Sequence, residues 1–411
     1  MATERVVVRE MAWRELCPWL ILFRTFGLAI SLPILFLATL GTLLTPLGWI
    51  GSEAWLMPGH DREDAAFRRV AMADNTRWAH ELRDEWAPLS MFPQSIGEIV
   101  HTDPSIIEPI YRRFVWPLAS VFRGEVRGAR LGVLLLGTLW MLLVWGFFGG
   151  AITRMAVVKL GREEQIGLGE ALRHAAGRWL SYISSPLFPL VGVVLIALPL
   201  VLIGLLMRTS GGVLLAGVFW FFFLLGGLSI TILLLGLMFG WPLMWGVISS
   251  EEQGDAFDAF SRSYSYTFQR PLHYLFYAFL ATFFGALAWL LVFHFSEAVL
   301  SFSRLPAQLV VGSERWSELS SAIANPGFRW EPVCFGASLI AVWEGLVRTI
   351  AAAFGYSFFF CLAAAIYLLL RRDVDQTEFD EVYVEREDRQ YRLPDLTLPG
   401  SEQLPSDGTA D

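Results

Sequence analysis

Few residues of this chain have the types and the spacing that chemistry needs. Glu344 and Arg348 lie four residues apart between apolar stretches, and a glutamate that precedes an arginine at that spacing favours an ion pair on one helix face. His294 and Glu297 lie three residues apart, where an imidazole and a carboxylate can share a proton or hold a metal ion. We interpret Glu344 and Arg348 as a structural ion pair at the membrane boundary, with a substrate-guiding role as the alternative. We interpret the second pair as a solvated helix end.

The sequence carries no motif that identifies a reaction. It has no Walker loop, no Gly-x-Ser-x-Gly, no His-Glu-x-x-His and no dinucleotide fingerprint. Cys17, Cys334 and Cys361 are too far apart in the predicted topology to pair, and they show no zinc spacing. The basic residues, all arginine except Lys159, are scattered rather than clustered. We therefore predict that the protein is not an enzyme and has no catalytic residue, no cofactor, no metal site and no nucleic-acid partner.

The composition indicates a membrane protein. Hydrophobic residues make up 55% of the 411 residues and charged residues 17%, and the mean hydropathy is +0.51. The longest apolar run, from Val213 to Ile248, holds no charged residue. Such a run is longer than a soluble core needs and suits a lipid bilayer. The predicted fold is an all-α integral membrane protein: six transmembrane helices with two cytoplasmic interfacial amphipathic connector helices and a small helical external insert.

Six apolar blocks have the length of membrane spans. We predict spans at residues 25–49, 130–152, 186–207, 213–247, 274–296 and 349–370. The third and fourth must form an antiparallel hairpin because only residues 208–212 join them. The fourth block is too long for one upright helix, and Gly226-Gly227 and Gly240-Trp241-Pro242 offer bend points. Whether it is one bent span or two stays open at this stage.

Basic residues concentrate on one side of these spans, which predicts that this side is cytoplasmic. They are Arg5, Arg9, Arg14, Arg24, Arg154, Lys159, Arg162, Arg173, Arg178, Arg262, Arg270, Arg371 and Arg372. The other opposing connections carry Arg208, then Arg304, Arg315 and Arg329 over a longer segment. The opposing segment 51–129 is left out of this comparison because long segments are exempt from the charge rule. We therefore expect a bacterial cytoplasmic (inner) membrane protein with both termini in the cytoplasm.

The chain divides into four parts. Residues 1–50 hold an N-terminal interfacial helix and the first span, and residues 51–129 form an external, periplasmic insert. This insert is rich in aromatic residues, so we expect it to fold back onto the outer membrane surface. Residues 130–372 form a five-span helical bundle, and residues 373–411 form an acidic cytoplasmic tail that we expect to be disordered. Within the spans we expect no ionisable side chain at mid-depth.

Two cytoplasmic connectors have similar patterns. One runs from Glu164 to Pro186 and the other from Glu252 to Pro271, and each contains an acid, an alanine, an apolar residue and an arginine in that order. Their apolar residues recur at helical spacing, which predicts amphipathic helices along the inner interface. The candidate lipid-headgroup arginines are Arg173, Arg178, Arg262 and Arg270. A plain helix that positions the next span is the alternative.

The second connector also carries a family resemblance. Residues 256–264, with the sequence Ala-Phe-Asp-Ala-Phe-Ser-Arg-Ser-Tyr, are followed by Phe268-Gln269-Arg270. They resemble the Ala-Leu-x-x-Ser connector of the six-span glycerophosphodiester phosphodiesterase membrane-domain superfamily, and the resemblance covers residues 130–372. The whole chain is similar to uncharacterised bacterial multi-pass membrane proteins. The resemblance implies a helical bundle with interfacial connectors. It does not imply the hydrolase activity, because that activity belongs to a separate barrel domain for which this chain has no room.

Two functions from different classes fit these features. The first is a non-enzymatic scaffold, assembly or envelope-homeostasis component, which the apolar spans and the acidic tail favour. The alternative is a permease-like or lipid-handling protein for an apolar or amphiphilic cargo. The predicted partners are membrane lipids, with a membrane-protein partner or a homo-oligomer. The motifs Gly146-x-x-x-Gly150 and Gly236-x-x-x-Gly240 permit close helix contact, either within the chain or between copies.

Overall fold

The computed structural model describes residues 17–57, 107–123, 128–252, 254–324 and 331–384. Within them the protein is helical, apart from short connections and the segment that follows the last helix. A 3₁₀ turn at Pro18–Leu20 precedes α1 (Ile21–Ala29), α2 (Leu32–Leu56), α3 (Ile107–Arg123), α4 (Ala129–Gly161), α5 (Leu168–Gly177), α6 (Trp179–Leu206), α7 (Ser210–Val218), α8 (Trp220–Ser250), α9 (Ala256–Gln269), α10 (Pro271–Val311), α11 (Ser313–Ala324) and α12 (Pro332–Asp375).

Six of these helices, α2, α4, α6, α8, α10 and α12, are long and apolar enough to cross a membrane. The prediction of an all-α protein with six spans is confirmed, and α5 and α9 are the two predicted connector helices. Of the predicted insert, residues 58–106 and 124–127 lie outside the described residues. Because α10 and α12 contain 41 and 44 residues, they are about 60 Å long or more at 1.5 Å per residue. They therefore exceed a hydrocarbon layer of about 30 Å.

The first predicted span, residues 25–49, is wrong in one respect: it is not one continuous helix, because the helical conformation is interrupted between α1 and α2. Ser31 is extended, with φ −61° and ψ 138°, and Pro33 follows in the first turn of α2. Proline fits a first turn because it has no N–H to leave unpaired there. The break thus lets α1 and α2 take different directions.

The third and fourth spans form the predicted hairpin. α6 ends at Leu206, and the Oγ1 atom of Thr209 accepts a hydrogen bond from the Gly212 amide at 3.1 Å, which caps the start of α7. The fourth apolar block is a single crossing that is interrupted at Phe219, between α7 and α8. The predicted bend points at Gly226 and Pro242 both lie inside the continuous helix α8.

α12 is the central helix of the bundle. Every residue from Ala351 to Leu370 is buried, and the helix packs against α1, α2, α4, α8 and α10. This segment has no charged residue, and its alanines and aromatic residues alternate in blocks. A helix that is apolar on all sides suits a position surrounded by other helices.

Large side chains fill the glycine positions at the helix contacts. A Cβ atom on Gly150 of α4 would lie 2.8 Å from the Tyr182 ring, and one on Gly236 would lie 2.2 Å from the Tyr264 ring. The Gly146 and Gly236 motifs therefore both serve contacts within the chain, which resolves the alternative left open by the sequence. Close approach at small residues is the usual way in which helices associate in lipid.

The two ends of the bundle differ. α9 and the C-terminal end of α12 lie together, since the Tyr266 hydroxyl of α9 donates to Asp375 at 2.5 Å. α5 lies at the same end, where its His174 meets the backbone of Ile248 near the end of α8. We name this the connector end. The turn of the α6–α8 hairpin at residues 207–209 lies at the opposite end, which we name the tip end.

A matched glycine pair tests this packing. A Cβ on Gly246 would lie 2.5 Å from Cγ and 2.8 Å from Cβ of Tyr367, whereas nothing lies within 4 Å of one on Gly204. We expect Gly246→Ala to lower the free energy of unfolding by about 1–3 kcal/mol through overpacking. We expect Gly204→Ala to leave it unchanged or raise it slightly, since alanine favours helix. Thermal unfolding in detergent measures both, and an equal effect of the two variants would contradict the contact.

Candidate functional site

Arg178 closes the C-terminal end of α8. Its Nη1 atom donates to the carbonyls of Glu251 at 2.8 Å and Ile248 at 3.1 Å, and its Nη2 atom donates to the Glu252 carbonyl. The last carbonyls of a helix lack partners within the helix and attract cations. Arg178 therefore stabilises the fold, and its predicted role as a headgroup ligand stays a prediction.

Arg154 makes a similar contact that the sequence did not reveal. It is 3% exposed, and its Nη1 atom donates to the Ser249 carbonyl at 2.5 Å. The Ser249 hydroxyl also shares a hydrogen bond of 2.8 Å with the Tyr182 hydroxyl. The sequence placed Arg154 in a cytoplasmic loop, but it lies inside α4 because that helix continues to Gly161.

Glu251 joins two further arginines. Arg262 lies 3.2 Å from Glu251 and 2.9 Å from Asp258, and Arg371 lies 3.2 Å from Glu251. Burial lowers the pKa of Arg262, yet the carboxylates of Asp258 and Glu251 outweigh burial and raise it overall. Arg262 thus has partners within the chain, and its predicted headgroup role stays a prediction.

Arg173 and Arg270 differ from the two paired arginines, because both are exposed at the connector end. Their predicted role in binding lipid headgroups stays a prediction.

The chain after α12 folds back over the connector end. Arg371 donates to the Glu381 carbonyl at 2.7 Å, Arg162 donates to the Val382 carbonyl at 3.1 Å, and the Tyr383 amide donates to the Ser250 carbonyl at 3.0 Å. Val382 and Val384 are buried. The expectation of disorder is therefore wrong for residues 373–384, because buried valines and arginine-bound carbonyls hold the segment. Residues 385–411 lie outside the described part of the chain.

His174 is buried within this polar layer. Burial, together with the positive charges of Arg154 and Arg178, lowers the pKa of His174 to about 3. Only 7% of His174 is exposed. The neutral imidazole is thus part of the packed connector end.

A four-residue ion network ties α10 to α12 on the tip side. Arg304 binds both carboxylate oxygens of Glu344, with Nε 2.6 Å from Oε1. Arg348 lies 3.8 Å from Glu344 and 3.7 Å from Glu297. The predicted pair of Glu344 and Arg348 is present, but Arg304 is the closer partner. Its separation of 40 residues from Glu344 hid it from the sequence. The side chain of Glu344 is 9% exposed, so the pair is more buried than expected.

The helix α3 is the feature that the sequence failed to reveal. It belongs to the predicted external insert, yet the ring of Phe114 lies 4.7 Å from that of Trp241 and 6.4 Å from that of Trp145. The Tyr111 hydroxyl donates to the Met238 carbonyl at 2.5 Å. The expectation that the insert lies along the outer surface is therefore wrong for residues 107–123. Tyr111 and Phe114, three residues apart and therefore on one face of α3, were the available signal.

α3 also brings arginine into the bundle. Arg113 donates from Nη1 to the Tyr356 hydroxyl, and its guanidinium lies 5.5 Å from the centre of the Tyr356 ring. Tyr356 lies 15 residues before Arg371, which is about 22 Å along α12. With the boundary at Arg371, this depth lies within a hydrocarbon layer of about 30 Å. The expectation of no ionisable side chain at mid-depth concerned the spans themselves, and Arg113 belongs to α3, outside them.

Comparison with family models, with curated proteins and with solved structures gives no match for this chain. The resemblance of residues 130–372 to the membrane-domain superfamily therefore stays a prediction. Among the described residues, no group of His, Cys, Asp and Glu is arranged to hold a metal ion.

The pKa of His174 predicts a pH-dependent stability. The unfolded chain binds a proton at His174 below about pH 6.5, whereas the folded chain does so only near pH 3. Stability should therefore be complete above pH 6.5 and fall as the pH falls from 6.5 towards 3. His174→Asn should flatten this dependence, and the exposed His273→Asn should not. Thermal midpoints between pH 7.5 and about 4.5 measure it, and identical curves for the two variants would contradict the argument.

The ion network predicts that two Glu→Gln variants lower the free energy of unfolding by different amounts. Glu344→Gln leaves Arg304 and Arg348 near a neutral amide, and we expect a loss of about 3 kcal/mol in unfolding free energy. The control is Glu318→Gln, since the pair of Arg315 and Glu318 is exposed and contributes at most about 1 kcal/mol. Unfolding in detergent compares them. A loss for Glu344→Gln no larger than for Glu318→Gln would show that the network is not structural.

Proposed function

We propose that the chain is a non-enzymatic scaffold that assembles other helical membrane proteins in the cytoplasmic membrane of a bacterium. The tip half of the α6–α8 hairpin supports this proposal. From Val194 to Leu235, Ala216 is the one buried residue, and Arg208 is the one charged residue. The tip half of the hairpin thus presents an apolar surface that the other helices of the chain leave exposed.

Open glycines favour a protein helix over lipid as the occupant of this surface. In the hairpin, a Cβ atom on Gly204, Gly217 or Gly227 would have nothing within 4 Å. At the helix contacts of the bundle, by contrast, positions such as Gly150 and Gly246 receive an aromatic ring. Small residues allow a neighbouring helix to approach closely. The partner would therefore present large apolar side chains and no unpaired charge.

The distribution of positive charge indicates which end of the protein faces the cytoplasm. Arg162, Arg178, Arg262 and Arg371 all lie at the connector end, and positive residues are retained on the cytoplasmic side. We therefore propose that the connector end and both termini are cytoplasmic. The hairpin turn at Arg208 would then face the periplasm.

Lipid handling is the second candidate function. It is favoured by one observation, the penetration of α3 with Arg113 into the bundle. A scaffold does not require a guanidinium at that depth, where it is costly.

Crosslinking from the hairpin tests the scaffold. A photoreactive residue at Leu202 or Phe221, both exposed on the hairpin, should give a product with another membrane protein in cells. The same residue at Phe283, exposed on α10, is the control. Gly204→Leu with Gly227→Leu should abolish the product by filling the open positions, and should leave thermal stability unchanged.

Three results would contradict the scaffold. One is a product with the mass of two copies of this chain alone, which indicates a homo-oligomer. Another is no protein product from Leu202 or Phe221, which indicates that lipid covers the hairpin. The third is a product that the glycine variants leave unchanged.

A further inference from the structure

Inside the bundle, α3 meets a cluster of aromatic rings and hydrogen-bond donors. It consists of Arg113 and Phe114 of α3, Trp145 of α4, Trp241 of α8 and Tyr356 of α12, and we name it the α3 cluster. We propose that the α3 cluster binds the phosphate headgroup of a lipid from the leaflet on the tip side. This site is independent of the proposed scaffold surface on the hairpin.

The rings of the cluster hold the two indoles next to α3. Trp145 stacks on Tyr356 with ring centres 4.2 Å apart, and Tyr356 receives the hydrogen bond of Arg113. The Phe114 ring contacts both Trp145 and Trp241. One guanidinium and two indoles, contributed by three helices, therefore lie within one layer of side chains.

The cluster has more donors than acceptors. Trp145 is 0% exposed and Trp241 is 5% exposed, and neither Nε1 atom has a hydrogen-bond acceptor among the described residues. An indole can only donate, and a guanidinium can only donate. A buried donor without an acceptor is costly, so the cluster is suited to a ligand that brings several acceptor oxygens. Phosphate does so and pairs well with arginine.

The surroundings favour a lipid as the source of the phosphate. The cluster lies about 22 Å along α12 from Arg371, which is within the hydrocarbon layer and not at its surface. α8 and α10 both contact α3. On the tip half, α10 exposes the apolar side chains of Leu291 and Phe295, which lie outside the hairpin. Acyl chains would lie against such a surface, whereas a soluble anion would have no favourable path across it.

Neighbouring positions agree with this assignment. Arg112, beside Arg113, is exposed, so the same helix carries a second positive charge one residue away. A long arginine side chain can extend towards the headgroup region while its stem stays in the apolar layer. α3 would thus carry one arginine at the phosphate and one on the approach to it.

Lipid retention measured by native mass spectrometry tests the proposal. The full chain is released from nanodiscs that contain equal amounts of phosphatidylglycerol and phosphatidylcholine. We expect the wild-type protein to retain phosphatidylglycerol about tenfold over phosphatidylcholine, and Arg113→Gln to remove this preference, since a hydrogen bond to a charged group is lost. Arg113→Lys should retain part of it. The matched control is Arg208→Gln, which removes a charge at the hairpin turn and should leave the preference unchanged.

The indoles give a second readout that does not depend on the Arg113 variants. Trp145→Phe and Trp241→Phe keep an aromatic ring, remove one donor each and should lower the preference a few-fold. In ¹⁵N-labelled wild-type protein, these variants also identify the two indole N–H signals. Both signals should shift when phosphatidylglycerol replaces phosphatidylcholine in the nanodisc.

Four outcomes would overturn the proposal. They are equal retention of both lipids by the wild-type protein, an equal effect of Arg113→Gln and Arg208→Gln, and indole signals that do not respond to phosphatidylglycerol. The fourth is displacement of the lipid by millimolar inorganic phosphate, which would identify a soluble anion as the ligand. If Arg113→Gln fails to fold, the indole signals of the wild-type protein decide.

Discussion

The bundle depends on aromatic rings that pack into glycine positions around one buried helix. Ala351–Leu370 is buried along its whole length, and its Tyr367 ring lies against Gly246 of α8, while its Phe360 ring lies against Gly149 of α4. In lipid the hydrophobic effect does not drive helices together, so close packing must supply much of the attraction. A glycine has no Cβ atom to hold two helices apart, and the aromatic ring of the neighbouring helix packs into the space that is left.

The connector end and the tip end divide two physical tasks. At the connector end, guanidinium groups bind backbone carbonyls at the end of α8, and the chain after α12 covers them. This end is closed, and its charges are matched by carbonyls and carboxylates of the same chain. Towards the tip end the hairpin leaves the other helices, and α3 enters between the remaining spans. The indole N–H groups of Trp145 and Trp241, next to α3, have no acceptor among the described residues.

The sequence predicted what depends on local pattern. Hydropathy and length gave six spans, and short loops gave the hairpin, because both properties are local. The spacing of Glu344 and Arg348 gave an ion pair, but the closer partner Arg304 comes from another helix. The partners of Arg178 and Arg262 were hidden for the same reason: an amphipathic pattern places an arginine on a polar face without revealing whether water, lipid or a helix end contacts it. The position of α3 required knowledge of a gap that forms only when the spans assemble.

The central position of α12 has a consequence for biogenesis. A ribosome makes α12 after the five other spans, so those spans enter the membrane while the space they will enclose is still empty of protein. Their glycines and the apolar residues around them must meanwhile face lipid or one another, and the bundle cannot consolidate span by span as it is made. Completion should therefore be a late, concerted step in which the sixth helix is admitted between helices that have already crossed.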